Sequence, residues 1–485
     1  ILYNQSKYYS PSLQYYVPNA YQGLVGRLTY EYASRYLAEF NMGYNGTENF
    51  AKGKRFGFFP AVSLGWVISE EKFFPKNNIV KYLKVRGSYG EVGNDQIGGD
   101  RFLYLPSSYG AASDSGVNKY NFGLASNPYT SLMIVENKIG NPDLTWEKAK
   151  KMNVGVDINL FNNCLTASFD IFKEKRNNIL ANRSTSPMII GANLPAYNFG
   201  EMENRGWEMD LNFRHHIQDF HYWARFNYSF ARNEIIYMDE VQKRYDYQMT
   251  TGRRKNQFFG LIFDGYYNSW EEINALDRPK SSWSGNQLQP GDVKYVDVNQ
   301  DGVIDDYDMV PIGYTPVPEI IYGFSFGAQY KGFDFSILFQ GADNVSIKYF
   351  GRSMWPFAKG EESAKSLIKE RWTQERYEAG EKITFPRLSL NPNGETDHNY
   401  RPSTLWIRDA SYLRLKNLEV GYTFTGGFVK RLNLNSVRLY FNGSNLFTWT
   451  DVVDLDPEAP SRSGNVEINT YPLQKVYNIG LNINF

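Results

Sequence analysis

Residues 476–485 read VYNIGLNINF. Tyr477, Ile479, Leu481, Ile483 and Phe485 fall on one face of an extended strand, and Asn478, Gly480, Asn482 and Asn484 on the other, because strand side chains alternate with a period of two. A soluble sandwich strand alternates in the same way, with its apolar side packed inward. Here the polar side carries small amides without charge, and the segment ends on an aromatic residue. That suits a strand whose apolar side meets lipid and whose polar side faces an interior. Recurrence along the chain decides between the two.

The alternation recurs. Leu28, Tyr30 and Tyr32, then Tyr36, Phe40, Met42 and Tyr44, keep one parity, with a turn expected at Ser34-Arg35. Met152, Val154, Val156, Ile158 and Leu160 form another row, followed by Leu165, Ala167, Phe169 and Ile171. Trp207, Met209, Leu211 and Phe213 oppose Glu208, Asp210, Asn212 and Arg214; Tyr222, Ala224, Phe226, Tyr228 and Phe230 oppose Trp223, Arg225, Asn227 and Ser229. With strands at 59–68, 82–91, 320–330, 334–342, 410–424 and 436–447, about 13 strands are predicted, each near the ten residues that cross a bilayer when tilted. The long connections (46–58, 92–150, 176–205, 233–319, 344–409 and 448–475) all fall at one end. Outer-membrane barrels have that asymmetry, and a soluble sandwich has no reason to sort its loops so. An odd strand count cannot close with an antiparallel seam. It points to an overlooked strand or, the expectation preferred here, to strands ahead of Ile1. The absence of an initiator Met and a signal peptide reads the same way, as a piece of a longer protein.

Composition bounds the function. The chain has 485 residues and 56.0 kDa, with 52 Lys+Arg against 52 Asp+Glu, so net charge gives no reason to expect a nucleic-acid partner. Mean hydropathy is −0.51 and no apolar run approaches the length of a transmembrane helix, which excludes a helical bundle but not a barrel. Aromatics make up 16% of the chain, natural for interfacial girdles. Cys164 is the single cysteine, so no internal disulfide framework exists.

The clearest chemical motif is DVNQDGVIDDYD, residues 297–308. Asp297, Asn299, Asp301, Val303 (through its carbonyl), Asp305 and Asp308 occupy the ligand positions of a twelve-residue calcium loop, with Gly302 at the sharp turn and Ile304 as apolar anchor. Asp308 stands where such loops carry Glu, and no amphipathic helix flanks the loop. Calcium here would brace a long outer loop. The alternative is a set of Asx turns that folds without metal.

The remaining candidates are weaker. His215, His216 and His221 read as a solvated turn, His398 as a lone residue among polar loop residues, and Arg253-Arg254-Lys255 as a solvated basic cluster. The aromatic stretch from Phe258 to Tyr267 reads as a large loop packing on itself, and 361–376 as a short helix lying on a long loop. Four histidines and no nucleophile elbow or phosphate-binding loop give no site for an enzyme.

Several segments together resemble the C-terminal part of SusC/RagA-like TonB-dependent outer-membrane transporters of the Bacteroidota. They include Phe59-Pro60 through Trp66, Leu83 through Gly90 with Gly93-Asn94, Asn141-Pro142-Asp143-Leu144 with Trp146-Glu147, and Asn204-Arg205-Gly206-Trp207-Glu208. Gly291-Asp292-Val293-Lys294-Tyr295, Tyr330-Lys331-Gly332-Phe333-Asp334, Ser411 through Leu418 and Asn445-Leu446-Phe447-Thr448 extend the match. Arg205-Gly206-Trp207 departs from the expected Lys-Gly-Val. The resemblance implies an all-β fold, the C-terminal strands of a 22-stranded antiparallel barrel plugged by an N-terminal domain lying before Ile1. It also implies import of oligosaccharide or peptide, a SusD-like lipoprotein lid and energy from the TonB complex. The rival readings are a passive barrel or adhesin, and a soluble calcium-braced glycan-binding protein.

Overall fold

A computed structural model describes residues 1–9, 18–96, 101–105, 108–111, 119–124, 129–185, 194–283, 288–349, 355–357, 366–389, 397–453, 455–458, 465–466 and 473–485. Fourteen strands form one antiparallel sheet in strict sequence order. They are β1 (Leu2–Tyr8), β2 (Asn19–Tyr32), β3 (Tyr36–Thr47), β4 (Phe56–Val67), β5 (Val80–Asn94), β6 (Glu147–Leu160) and β7 (Leu165–Ala181). The others are β8 (Tyr197–Ile217), β9 (Phe220–Tyr237), β10 (Ile320–Tyr330), β11 (Phe333–Asp343), β12 (Tyr412–Phe424), β13 (Ser436–Thr450) and β14 (Val476–Asn484). The expected thirteen omitted β1, whose LYNQSKY sequence alternates weakly. The odd count therefore came from a strand inside the chain. Among the described residues β1 and β14 do not pair with each other, and the sheet has two edges.

Register carries one apolar row from strand to strand. Ile483, Leu481 and Ile479 face Val437, Leu439 and Phe441 on β13, which face Phe424, Tyr422 and Val420 on β12. Ile171, Phe169, Ala167 and Leu165 lie between Val154 to Leu160 on β6 and Trp207 to Phe213 on β8. This face stays uncovered: Ile479 is 81% exposed and Leu481 57%. A sandwich would bury it under a second layer, so the sandwich reading fails here. On β7 and β8 the apolar row runs from Leu165 to Ile171 and from Trp207 to Phe213, and at roughly 3.3 Å per residue and about 40° of tilt it covers roughly 18 Å, most of the height of a barrel's lipid band.

Connections alternate between the two ends. One end has the turns 33–35, 161–164, 218–219 and 331–332, with the longer links 68–79 and 425–435. Ala33 and Ser34, and Lys331 with Gly332, take positive φ, the conformation that lets a tight turn follow the strand twist. The other end has every longest connection, including 95–146, 238–319, 344–411 and 451–475.

Those outer connections have an interior of their own. Leu261, Val293, Tyr349, Phe385 and Trp406 are at most 1% exposed and share one cluster with Tyr295, Ile304, Trp372 and Val452. The expected helix at 361–376 is smaller. Residues 361–365 lie outside the described residues, Ser366–Glu370 is a 3-10 turn, and an α-turn at Gln374–Glu378 follows the buried Trp372. Phe263 and Tyr266 pack into the same cluster, as the aromatic stretch predicted.

Candidate functional site

The face opposite the apolar row is polar and cross-linked. Arg86 on β5 donates from Nη1 and Nη2 to Asp170 on β7 at 2.6 and 2.7 Å, and from Nε and Nη2 to Asp157 on β6 at 3.1 Å each. Gly155 lies between, where a Cβ would stand 2.6 Å from Asp170 and 2.7 Å from Arg86. The device recurs. Arg438 on β13 crosses Gly421 on β12 to reach Asp334 on β11, and donates to Glu419 at 2.5 Å. In each case a bare glycine lets a guanidinium lie flat across the sheet and bind carboxylates in the plane its fork prefers. Thr29, Glu31, Ser63, Lys84, Arg86 and Asn153 help line a groove of about 540 Å³ on β2–β6.

Where this wall meets the outer loops, Arg414 on β12 is 2% exposed. It donates to Thr448 at 2.9 Å, to Asp456 at 2.7 Å and to Glu458. Tyr412 donates to Glu458 at 2.5 Å. The last outer connection is thereby fixed to the sheet. Within the loop assembly, Asp292 accepts from Arg387 at 2.6 Å, from Asn399 at 2.8 Å and from the Gln289 amide at 2.7 Å. Asn399 in turn accepts from the Val293 amide at 2.9 Å. Buried polar groups need such partners, and these join two outer connections, with partners about a hundred residues apart in sequence.

The acidic loop has the predicted shape. Gly302 has φ +82, and Ile304 is 3% exposed in the loop core. Asp297 accepts from the amides of Gln300 at 2.7 Å and Gly302 at 2.8 Å, Asn299 from Asp301 at 2.9 Å, Asp301 from Val303 at 3.0 Å and Asp305 from Tyr307 at 2.7 Å. Asp308 is fully buried and accepts from Val298 at 2.8 Å and Asp305 at 2.9 Å. Burial, with the charge of Asp297 nearby, pushes the Asp308 carboxyl up despite those bonds. Among the described residues no three His, Cys, Asp or Glu side chains converge as a metal-binding group.

Sequence reasoning misplaced some of the other candidates. His398 is half-buried: its Nε2–H donates to the Val293 carbonyl at 2.8 Å, and Nδ1 accepts from Ser281 at 3.0 Å. Its desolvation holds the imidazole below the usual histidine range. His215, His216 and His221 occupy strand ends flanking the turn, and His216 stacks on His221 at 5.5 Å. Arg254 is bonded to Glu319, and Arg253 donates to the Met249 carbonyl at 2.9 Å, so neither is a free solvated cation. Arg387 and Arg414 were not singled out at all, since nothing local marks an arginine whose partner lies tens of residues away.

The family model "TonB dependent receptor-like, beta-barrel" matches residues 3–446. The chain belongs to the TonB-dependent receptor β-barrel family. This receptor chain is 28% identical to "TonB-dependent receptor P3" of Formosa agariphila over 479 residues, covering 95% of the chain and 45% of that relative. It is also 28% identical to "TonB-dependent receptor SusC" of Bacteroides thetaiotaomicron over 477 residues, covering 97% of the chain and 44% of the relative. The receptor chain thus spans about half the length of the curated relatives it matches. Its fold is similar to that of the RagAB peptide importer in the open-open state, with a TM-score of 0.73 at 22% identity over 97% of this chain and 47% of that one.

Proposed function

We propose that this chain is the C-terminal barrel portion of an outer-membrane active importer of the SusC/RagA type. In this reading additional strands and a plug complete the barrel, and a SusD-like lipoprotein covers the outer loops. The TonB complex supplies energy, and the cargo is an oligosaccharide or a peptide. The observation that carries the reading is one sheet with an exposed apolar face, a cross-linked polar face and outer connections folded together over one end. Open strand edges in hydrocarbon cost several kcal/mol per unpaired group, which favours a partner for β1 and β14. An importer binds and moves its cargo without covalent chemistry. Gene deletion in the source organism tests this. Loss of growth on one class of polymer, restored by the full gene but not by a version lacking the TonB-contacting segment, supports active import. Rescue by both versions supports the passive barrel.

We further propose that residues 297–308 take up calcium. The left-handed Gly302 and the chain of Asx turns already set the loop's course, and a divalent cation would offset the crowding of Asp297 against buried Asp308. A calcium-dependent rise in thermal stability, reversed by chelator and absent in Asp297→Asn, is expected. No shift on chelation overturns the assignment.

A further inference from the structure

The outward row changes character abruptly on β6–β9. Ile171 is in register with Trp207, and Trp207 with Phe230, and all three are apolar. One pair further toward the outer loops, Lys173 is in register with Arg205 and Arg205 with Arg232. Three cations thus stand side by side on adjacent strands at the upper limit of the apolar band. Like charges directly opposite across a strand pair destabilise a sheet, so a bare row of this kind works against the fold.

The carboxylates lie further out. Lys150 is in register with Lys175, and Lys175 with Glu203, which faces Glu234. Neutralisation of the cations is uneven. Arg232 is held by Glu319 at 2.8 Å, Lys173 by Glu203 at 2.9 Å and Lys175 by Glu201 at 2.9 Å, whereas Arg205 reaches Glu234 only at 3.9 Å with its side chain 61% exposed. Lys148 and Lys150 share the single carboxylate of Glu91 at 3.6 and 3.9 Å. Ammonium groups carry three donors and a guanidinium five, so most of the donors on Arg205, Lys148 and Lys150 have no protein acceptor in this strip.

We propose that Arg205, with Lys173, Lys175 and Lys150 around it, docks the phosphate-bearing headgroup of an anionic membrane lipid. The inference rests on the membrane-embedded reading above. The occupant follows from position and charge: the strip continues the lipid-facing surface, and Lys173 and Arg205 lie nearest the hydrocarbon, where headgroup phosphates sit, with Lys150, Lys175 and the acids one step beyond. Strand spacing of about 4.8 Å and a two-residue repeat of roughly 7 Å put all four cations within reach of one phosphorylated headgroup. Phosphate oxygens between Lys173 and Arg205 would relieve the like-charge pair.

The full-length receptor reconstituted in nanodiscs tests this, with native mass spectrometry reading retention of a bisphosphorylated lipid A against its dephosphorylated form. Wild-type protein should retain the phosphorylated lipid preferentially. The double variant Lys173→Gln/Arg205→Gln should lose roughly 30-fold in that preference, at about 1 kcal/mol per cation. Lys151→Gln, on the opposite face of β6 and paired with Glu174, should leave the preference unchanged and so reports on folding. Equal retention of both lipids by the wild type, or an unaltered preference in the double variant, overturns the proposal alone. Failure of the wild type to enter neutral phosphatidylcholine discs overturns the membrane reading and this proposal with it.

Discussion

Arg86 reaches Asp170 two strands away, at 2.6 Å, by lying over Gly155. The glycine is as much a part of the pair as the two charges, because any side chain there occupies the space of the guanidinium. Gly155→Val should therefore separate the pair and strain the sheet by about 1–3 kcal/mol, the range for overpacking a close contact. Gly87→Val is the matched control, since its Cβ would meet only the Asn153 carbonyl at 3.8 Å. The check is the temperature at which folded barrel converts to the slow-migrating form in detergent gels. A drop for Gly155→Val only is expected.

Removing Arg414 leaves Asp456 without its cation and Glu458 with only Lys416 at 3.7 Å, at the base of the last outer connection. Breaking a buried pair from one side costs about 3–5 kcal/mol. Arg414→Ala should open residues 451–475 to limited proteolysis while the strands stay protected. Arg414→Lys should rescue only in part, as an ammonium cannot serve three acceptors in the guanidinium plane.

His398 sets a pH response in the loop assembly. Asp292, Asp397, Arg401, Tyr295 and Ser281 surround it or act on it. Desolvation keeps its folded pKa below the ordinary 6.5. At pH values between the two, the unfolded assembly binds the extra proton, so stability is complete above about 6.5 and falls as pH drops toward the folded value. Hydrogen-exchange protection of residues 289–295 and 397–406, taken relative to the intrinsic exchange rate at each pH, should fall from pH 7.5 to 5.5, with the protection of β6–β9 as an unchanged internal reference. A response that persists in His398→Gln would refute the assignment.

The Asp308 carboxyl shifts the other way. Raised by burial, it takes up a proton at a higher pH than an exposed carboxylate would. If calcium occupies the loop, affinity should decline on acidification earlier than for an ordinary acidic loop, because the proton competes for the same oxygens. Calcium titrations at pH 7.5 and 5.5 give the comparison.

The lipid face can be probed on β14. Leu481→Arg places a charge in the apolar row at a cost of about 2–4 kcal/mol near the bilayer midplane, whereas Asn482→Arg points to the polar face. Outer-membrane insertion should fall for the first and hold for the second.

The sheet was legible because alternation is a local property. Trp207 to Phe213 against Glu208 to Arg214 declares both faces within eight residues. β1 was missed because Asn4, Gln5, Ser6 and Lys7 interrupt any apolar row. The acidic loop was legible in shape for the same local reason. The loop core was not: Val293, Phe385 and Trp406 meet across about a hundred residues, and no window along the chain registers that. His398 read as a lone residue among polar loop neighbours, yet its surroundings are set by Val293 and Ser281.

If the chain serves import as proposed, that communal interior limits how such a protein can change its cargo. Connections 238–319, 344–411 and 451–475 each supply part of one packed nucleus. Transplanting any one of them from a relative would bring a fragment shaped for absent neighbours. New preferences should thus arise by editing exposed tips, or by exchanging the three segments as a single cassette.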